Sequence, residues 1–288
     1  MHLVICATDS RYVEMTGVLI RSIASQPHAA GVEIVVFCTQ VEQSDKDRLA
    51  ACSDGATLVT LIDLDESSLG DLEDLGGTRH LSMTVYARMM IPDLLPERTG
   101  RALYLDCDIV VNTSLDPLFA LDLAGHVVGA IPNVLSSQRR AELNAAIDRP
   151  ADEPYFNSGV LLIDLDRWRS AEVSQKSMAY AKLSLDNYDA DQAVLNKILT
   201  ANWKTIDARW NSNPDKASPA QLRTMPIQHF WGRKKPYFSD YPAGLRERYD
   251  HYRAMTPWAS SQRMTPLQRS FEKRMASVMK LYRRIAGS

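Results

Sequence analysis

Two carboxylates two residues apart carry the strongest chemical signal in the sequence. Asp106 and Asp108 follow the apolar run 102–105. If the backbone stays extended there, residues two apart point to the same face, so both side chains can approach one ion while Cys107 points away. Carboxylate oxygens suit Mg²⁺ or Mn²⁺, which proteins often hold with one or two carboxylates together with a phosphate. Taken alone, such a pair is more often a solvated strand end than a metal site.

A second group of candidate residues lies far downstream, in the segment IQHFWGRKKPYF. His229 offers a nitrogen ligand, Gly232 permits close backbone approach, and Lys235 offers a positive charge for a phosphate. A histidine between apolar residues is more often a core residue, so His229 by itself does not establish a metal site. Combined with the carboxylate pair, the segment predicts a site that binds a divalent cation and neutralises a diphosphate from two sides.

Short β-branched apolar runs must position these residues. They alternate with helix-like stretches through most of the chain, which favours an α/β domain with a mostly parallel sheet. The predicted strands are 2–7, 32–38, 57–62, 102–105, 127–131 and 159–164, and the predicted helices are 12–25, 168–184 and 191–200. Ligands of such sheets bind beyond the carboxyl ends of the strands. This rule directs attention to Asp9, Asp106 and Asn157.

Composition narrows the class of protein. The chain has 288 residues, 45% of them hydrophobic, and a formal net charge of −2, which argues against a nucleic-acid partner. It has no GxGxxG or GxxxxGK[ST] loop, so a nucleotide would have to be held in another way. The four cysteines form no CxxC pair, and the apolar run at the amino terminus is too short for a signal peptide or a membrane span. These features predict a reduced, cytoplasmic protein.

Four segments occur in the order YLDCDIVV, YFNSGVLLIDLDRW, DADQAVLN and HFWGRKKPY. Together they resemble the signature blocks of the family 8 retaining glycosyltransferases, which include bacterial lipopolysaccharide galactosyl- and glucosyltransferases and glycogenin. The resemblance extends from ATDSRY in the first strand to about Pro236. It implies a single Rossmann-like, GT-A type domain over residues 1–257 that transfers glucose or galactose from a UDP-sugar to an acceptor hydroxyl. The implied acceptor is a lipopolysaccharide or another cell-surface glycan, and its identity is expected to depend on the loops 133–154 and 211–222.

The resemblance also implies roles for individual residues. The cation, usually Mn²⁺ with Mg²⁺ as the alternative, is expected on Asp106, Asp108 and His229. The catalytic residues are expected to be Asp191 and Gln192. The donor-binding residues are expected to be Ala7, Thr8, Asp9, Tyr12, Arg88, Asp106, Cys107, Asn157, Gly232 and Lys235. In this scheme Tyr12 stacks on the uracil, and Asp9 accepts a hydrogen bond from it.

Structural roles also fit several of these residues. Tyr12 can begin a helix and pack on the sheet, Arg88 can pair with a surface carboxylate, and Asn157 and Asp191 can cap turns or helices. Two other functions use part of the pattern. One is a haloacid-dehalogenase-like phosphatase with Asp106 as nucleophile, although there the motif lies near the start of the fold. The other is a nucleotide-sugar-binding protein without transfer activity.

Residues 258–288 differ in composition from the rest of the chain. Apolar residues recur at helical spacing at Leu267, Phe271, Met275, Val278, Tyr282 and Ile285. The other faces carry Arg269, Lys273, Arg274, Lys280, Arg283 and Arg284, with Glu272 as the acidic exception. A basic amphipathic helix of this kind lies on anionic membranes, so 265–285 predicts peripheral contact with the inner face of the membrane. Packing on the domain or contact between copies of the chain fits the same pattern.

Overall fold

A computed structural model describes residues 1–64, 87–183, 190–232, 234–271 and 275. Its strands are β1 His2–Asp9, β2 Val32–Thr39, β3 Leu58–Asp63, β4 Arg101–Leu105, β5 Ile109–Val111, β6 Val128–Pro132, β7 Phe156–Asp164, β8 Trp203–Thr205 and β9 Ile227–His229. Seven of them form one sheet in the order β3-β2-β1-β4-β7-β6-β8, and β5 pairs with β9 in a separate two-stranded sheet. All six predicted strands are present.

The main sheet is mostly parallel, as predicted. The pairs β1–β2, β1–β4, β2–β3 and β6–β8 are parallel, whereas β7 runs antiparallel to both β4 and β6. This reversal brings the start of β7 to the edge where β4 ends. Because β7 begins at Phe156, three residues earlier than predicted, Asn157 lies inside the strand and not before it.

The helices are α1 Val13–Ala24, α2 Gln43–Ala50, α3 Ile91–Leu94, α4 Asp116–Phe119, α5 Ser137–Ala145, α6 Leu165–Ser170, α7 Val173–Leu183, α8 Ala190–Ile198, α9 Pro219–Thr224 and α10 Glu247–Arg253. The single helix predicted for 168–184 is wrong, since α6 and α7 are separate. Glu172, between them, has φ of 56°, a left-handed conformation that a helix cannot continue through. The last predicted residue, Ser184, lies outside the described residues.

Successive residues of β1 enter two different cores. Leu3, Ile5 and Ala7 pack in a cluster that includes side chains of α6 and α8. Val4 and Cys6 pack in a cluster that includes side chains of α1. All five are at most 7% exposed. Because both faces of β1 are covered, the strand is a continuous apolar run in the sequence, and the sheet lies between two helical layers.

The first residues of the predicted tail contact the domain. Trp258 is 4% exposed, and the Arg48 guanidinium lies 4.1 Å from the centre of its ring. Arg263 Nη2 lies 2.5 Å from Asp250 Oδ1. Residues 266–271 are helical, and Arg269 Nη2 lies 3.3 Å from Asp240 Oδ2.

Leu267 and Phe271 of this helix are exposed, and so is Met275. The remaining residues of the predicted amphipathic pattern lie outside the described residues; they are Glu272, Lys273, Arg274, Val278, Lys280, Tyr282, Arg283, Arg284 and Ile285. No helix within the described part of the chain is long and apolar enough to cross a lipid bilayer.

Candidate active site

The carboxylate pair lies in the connection between β4 and β5. β4 ends at Leu105, and Cys107 and Asp108 form a turn before β5 begins at Ile109, so the expected extended backbone through this segment is wrong. Two backbone hydrogen bonds hold the connection: Asp106 N–H donates to the Gly159 carbonyl at 2.9 Å, and Phe230 N–H donates to the Asp108 carbonyl at 2.9 Å. The connection is therefore fixed between β7 and the end of β9.

His229 reaches the same point through the two-stranded sheet. In the β5–β9 register Ile109 lies opposite His229. His229 Nε2 lies 3.0 Å from Asp108 Oδ1 and 3.5 Å from Asp106 Oδ2. One ligand atom from each of the three residues lies within 4.8 Å of the others. Two carboxylate oxygens and one imidazole nitrogen fit Mn²⁺ or Mg²⁺, so the side chains present suit the predicted cation.

Gly159 makes this approach possible. A Cβ at position 159 would lie 2.5 Å from Asp106 Oδ2 and closer still to His229 Cε1, so no larger residue fits. The β6–β7 register shifts next to it: Ala130 pairs with Leu161, but Ile131 pairs with Asn157. This irregularity frees the segment that carries Gly159 to approach the carboxylates. Sequence reasoning did not single out Gly159, although it belongs to the segment YFNSGVLLIDLDRW.

A buried lysine contacts the second carboxylate. Lys235 is 8% exposed, and its Nζ lies 2.5 Å from Asp108 Oδ2 and donates to the Phe230 carbonyl at 2.9 Å. Burial acts to raise the pKa of Asp108, but His229, when its ring is protonated, and Lys235 outweigh it and hold that pKa below its ordinary value. Burial acts to lower the pKa of Lys235, and Asp108 more than compensates, so that pKa is raised. Lys235 therefore remains charged in a largely dry environment.

Arg88 joins the first carboxylate to α8. Its guanidinium forms an ion pair with Asp106, and Nη1 lies 2.5 Å from Asp191 Oδ2. It also donates to Ser158 Oγ at 2.5 Å and to the Tyr104 hydroxyl at 3.0 Å. Burial acts to lower the pKa of Arg88, but the two carboxylates raise it well above its ordinary value. Arg88 thus pairs with carboxylates of the site, and the surface pairing considered from the sequence is wrong.

Side-chain amides connect the sugar-site candidates to His229. Gln192 Oε1 accepts from Asn157 Nδ2 at 3.2 Å, and Asn157 Oδ1 accepts from Asn211 Nδ2 at 2.7 Å. Asn211 Oδ1 then lies 2.7 Å from His229 Nδ1. Sequence reasoning gave Asn211 no role beyond the predicted acceptor loop, and its position in the Asn-rich and aromatic stretch 202–213 was the only signal for it.

The carboxyl end of β1 and the turn after it supply four more of the predicted residues. Ala7 and Thr8 are buried, and Thr8 Oγ1 accepts from Thr16 Oγ1 at 2.8 Å. Asp9 accepts from Arg11 Nη2 at 2.6 Å. Tyr12 is half-buried and precedes α1, and the centre of its ring lies 6.0 Å from Lys235 Nζ. Tyr12 is therefore the member of this group that reaches the charged cluster.

Gly232 and Cys107 are the other two residues that were predicted to bind the donor. Gly232 has φ of 111°, a conformation that favours glycine. Cys107 is half-buried in the turn between the two carboxylates, and burial raises the pKa of its thiol well above the ordinary value. Neither side chain adds charge to the site.

The fold and the site together define a GT-A-like protein: a mostly parallel α/β sheet with a carboxylate pair at the end of a central strand. The crystal structure of the galactosyltransferase LgtC in complex with donor and acceptor sugar analogs is similar, with a TM-score of 0.74 and 25% sequence identity, over 90% of this chain and 99% of that chain. Residues 3–240 match the family model for glycosyl transferase family 8. The chain belongs to this family, and the phosphatase alternative is set aside.

Two curated relatives cover most of the chain. General stress protein A of Bacillus subtilis is 26% identical over 282 residues, which are 90% of this chain and 94% of that protein. Lipopolysaccharide 1,3-galactosyltransferase of Salmonella typhimurium is 24% identical over 274 residues, which are 90% of this chain and 80% of that protein. The likeness therefore includes both the strands that carry the site and the segments that follow them.

Proposed function

We propose that this protein is a retaining glycosyltransferase that moves a hexose from UDP-glucose or UDP-galactose to an acceptor hydroxyl. One observation carries the proposal: Asp106, Asp108 and His229 converge on one point, and two largely buried cations, Lys235 and Arg88, contact the two carboxylates of that cluster. A cation ligand set flanked by fixed positive charges suits a diphosphate. Family membership and the similarity to galactosyltransferases support the same substrate class.

Charge stabilisation at the diphosphate is the main task of the site. Mn²⁺, with Mg²⁺ as the alternative, would be held by Asp106, Asp108 and His229 and would supply positive charge to the leaving UDP. Lys235 and Arg88 add charge that is already oriented by contacts with the protein, and such fixed electrostatic stabilisation is usually the largest catalytic contribution. Because both side chains are largely buried, little water screens their charges, and their electrostatic interaction with the diphosphate is stronger.

The base and ribose of the donor are assigned to the end of β1. We assign the uracil to Tyr12 for stacking and to Asp9 as an acceptor, with Ala7 and Thr8 beside them. β1 is paired in parallel with β4, so its carboxyl end lies at the same edge as the carboxylates. Gly232 and Cys107 are assigned to the phosphates, where a backbone without a bulky side chain allows close contact.

The sugar is assigned to Asn157, Asp191 and Gln192. Asp191 is engaged by Arg88, and the Gln192 carbonyl oxygen accepts from both Asn157 Nδ2 and the Ser158 backbone N–H. Both side chains are therefore held by protein partners, and an amide is a weak nucleophile in any case. We therefore favour attack on the same face. The anomeric carbon loses its bond to the phosphate oxygen and bonds to the acceptor oxygen, and the acceptor proton passes to the departing phosphate.

Gln192→Ala tests this route. The variant should slow transfer without abolishing it, because the lost contacts only position the sugar. Mass spectrometry of the enzyme incubated with donor should find no glycosyl adduct. A hexose covalently attached to Asp191 would favour a two-step mechanism instead.

For the acceptor, we infer a lipopolysaccharide or another cell-surface glycan. A similar protein is named a lipopolysaccharide 1,3-galactosyltransferase. The exposed side chains of Leu267, Phe271 and Met275 add an apolar face that we assign to peripheral contact with anionic membranes. The cytoplasmic location inferred from the sequence remains a prediction.

Vesicle sedimentation tests the membrane assignment with the full chain. Leu267→Ser/Phe271→Ser should reduce pelleting with phosphatidylglycerol vesicles, because the exposed apolar area is lost. Leu58→Ser is the matched control, since Leu58 is also an exposed leucine but lies on β3. Equal pelleting of the double variant and the wild type would remove the membrane assignment.

UDP release from a panel of UDP-sugars, with Mn²⁺, Mg²⁺ or EDTA, tests the proposed function. Wild type should turn over one UDP-hexose, and EDTA or Asp108→Asn should reduce the rate by at least about a hundredfold. Asp47→Asn, at an exposed position of α2, should leave the rate unchanged. Binding of a UDP-hexose without turnover would indicate a nucleotide-sugar-binding protein. The absence of both binding and turnover would overturn the proposal.

A further inference from the structure

The side-chain amides beside the cation ligands have defined directions, because two backbone groups anchor them. The Ser158 backbone N–H lies 3.2 Å from Gln192 Oε1, and the Gly159 backbone N–H lies 3.0 Å from Asn157 Oδ1. A backbone N–H can only donate, so the side-chain atom that faces each of them must be a carbonyl oxygen. Asn157 Nδ2 is then left to donate to Gln192 Oε1.

This polarity extends through Asn211 to His229. Asn157 Oδ1 already accepts from Gly159, and a second oxygen 2.7 Å away would be repelled, so Asn211 must present Nδ2 to it. Asn211 Oδ1 consequently faces His229 Nδ1 at 2.7 Å, and that ring nitrogen must carry the hydrogen. In the neutral ring, Nε2 then holds the lone pair.

The lone pair is directed at the carboxylates of the cation cluster. Nε2 lies 3.0 Å from Asp108 Oδ1 and 3.5 Å from Asp106 Oδ2, and the His229 side chain is 2% exposed. Nε2 and the two carboxylate oxygens repel one another at this largely buried point unless a cation lies between them. We propose that Asn211 is a positioning residue that holds His229 in the cation-binding orientation, with its own direction set by Asn157 and Gln192. This inference rests on the proposed cation site.

Two substitutions at position 211 separate this role from simple packing. Asn211→Leu removes the acceptor for His229 Nδ1–H and should weaken binding of Mn²⁺ about tenfold or more, the loss typical of a lost partner of a metal ligand. Asn211→Asp keeps an acceptor there and should lose clearly less Mn²⁺ affinity than Asn211→Leu, although its second carboxylate oxygen is repelled by Asn157 Oδ1. A packing role alone would predict the same loss from both variants.

Free Mn²⁺, measured by electron paramagnetic resonance during addition of MnCl₂, gives the affinity without an activity assay. Asn112→Leu is the matched control, because the Asn112 amide donates to the Met225 carbonyl at the other end of the β5–β9 ladder. This variant should bind Mn²⁺ like wild type. If Asn211→Leu fails to fold, imidazole-nitrogen NMR of the Mg²⁺-bound wild type replaces it. The spectrum should show His229 protonated at Nδ1, and protonation at Nε2 would refute the inference.

The outcomes distinguish this inference from the proposed function. Absence of Mn²⁺ binding by wild type would overturn both. Binding by wild type that Asn211→Leu leaves unchanged would overturn the positioning role alone. Loss of binding in Asn211→Leu together with a clearly smaller loss in Asn211→Asp would support it.

Discussion

The ring of His229 packs against the backbone at Gly159, where a β carbon would overlap His229 Cε1 and lie 2.5 Å from Asp106 Oδ2. Gly159→Ala should therefore push the His229 ring and the Asp106 carboxylate out of their present positions. We expect Mn²⁺ affinity to fall at least about tenfold, and the free energy of unfolding to fall by about 1–3 kcal/mol, as for other overpacked sites. Metal titration and urea unfolding measure the two effects.

Gly244→Ala is the control for this substitution. A β carbon at position 244 meets no atom within 4 Å, so this variant should match wild type in both measurements. Unchanged Mn²⁺ affinity in Gly159→Ala would show that the ligands do not depend on the close approach.

Arg88 is the shared partner of Asp106 and Asp191, and its removal should leave two mostly buried carboxylates without a cation. Arg88→Met should lower the free energy of unfolding by about 3–5 kcal/mol, the usual cost of breaking a buried ion pair from one side. Urea unfolding measures this loss of stability. Arg139→Met removes an exposed pair with Glu142 and should cost about 1 kcal/mol or less. Similar losses in the two variants would contradict the buried bridge.

The Cys52 thiol should lower the free energy of unfolding as the pH becomes alkaline. Burial raises the pKa of its thiol to about 12 from the ordinary value of 9.0. Because the folded-state pKa is the higher one, the stabilisation is complete below pH 9.0 and is lost as pH rises toward the folded-state value. From about pH 8 to about pH 10 this group alone should cost about 1.4 kcal/mol. Urea unfolding under reducing conditions should show that the free energy of unfolding declines more steeply with pH in wild type than in Cys52→Val. Equal slopes would contradict this prediction.

Trp258 packs against Gly17 of α1, where an added β carbon would lie 2.5 Å from the indole Cζ3. Trp258→Ala should lower the free energy of unfolding by about 3–5 kcal/mol. Gly17→Ala should destabilise wild type through the collision, yet should be neutral or stabilising by about 1 kcal/mol in the Trp258→Ala background, because alanine favours helices. A double-mutant cycle in urea measures this coupling. Additive effects would mean that residues after 257 do not contribute to the core.

Much of the fold was predictable because burial imposes a repeating pattern on the sequence. The central residues of β1 and β2, 3–7 and 34–38, are apolar without interruption since both faces of these strands are covered, and α1 shows apolar residues three and four apart since one side packs on the sheet. The helix break at Glu172 was not predictable from periodicity, because a single left-handed residue leaves the apolar spacing on either side intact.

The sequence by itself determined which residues could bind a cation and a diphosphate, because the chemistry of Asp106, Asp108, His229 and Lys235 belongs to their side chains and the order of their segments matches a known family. Only the tertiary structure decided how they meet. The turn after β4, the reversal of β7 and the β5–β9 register bring together residues more than a hundred positions apart. Glycine at 159 and the amide of Asn211 have no chemical signature of their own. Their roles follow from what lies within about 3 Å of them, which local sequence does not encode.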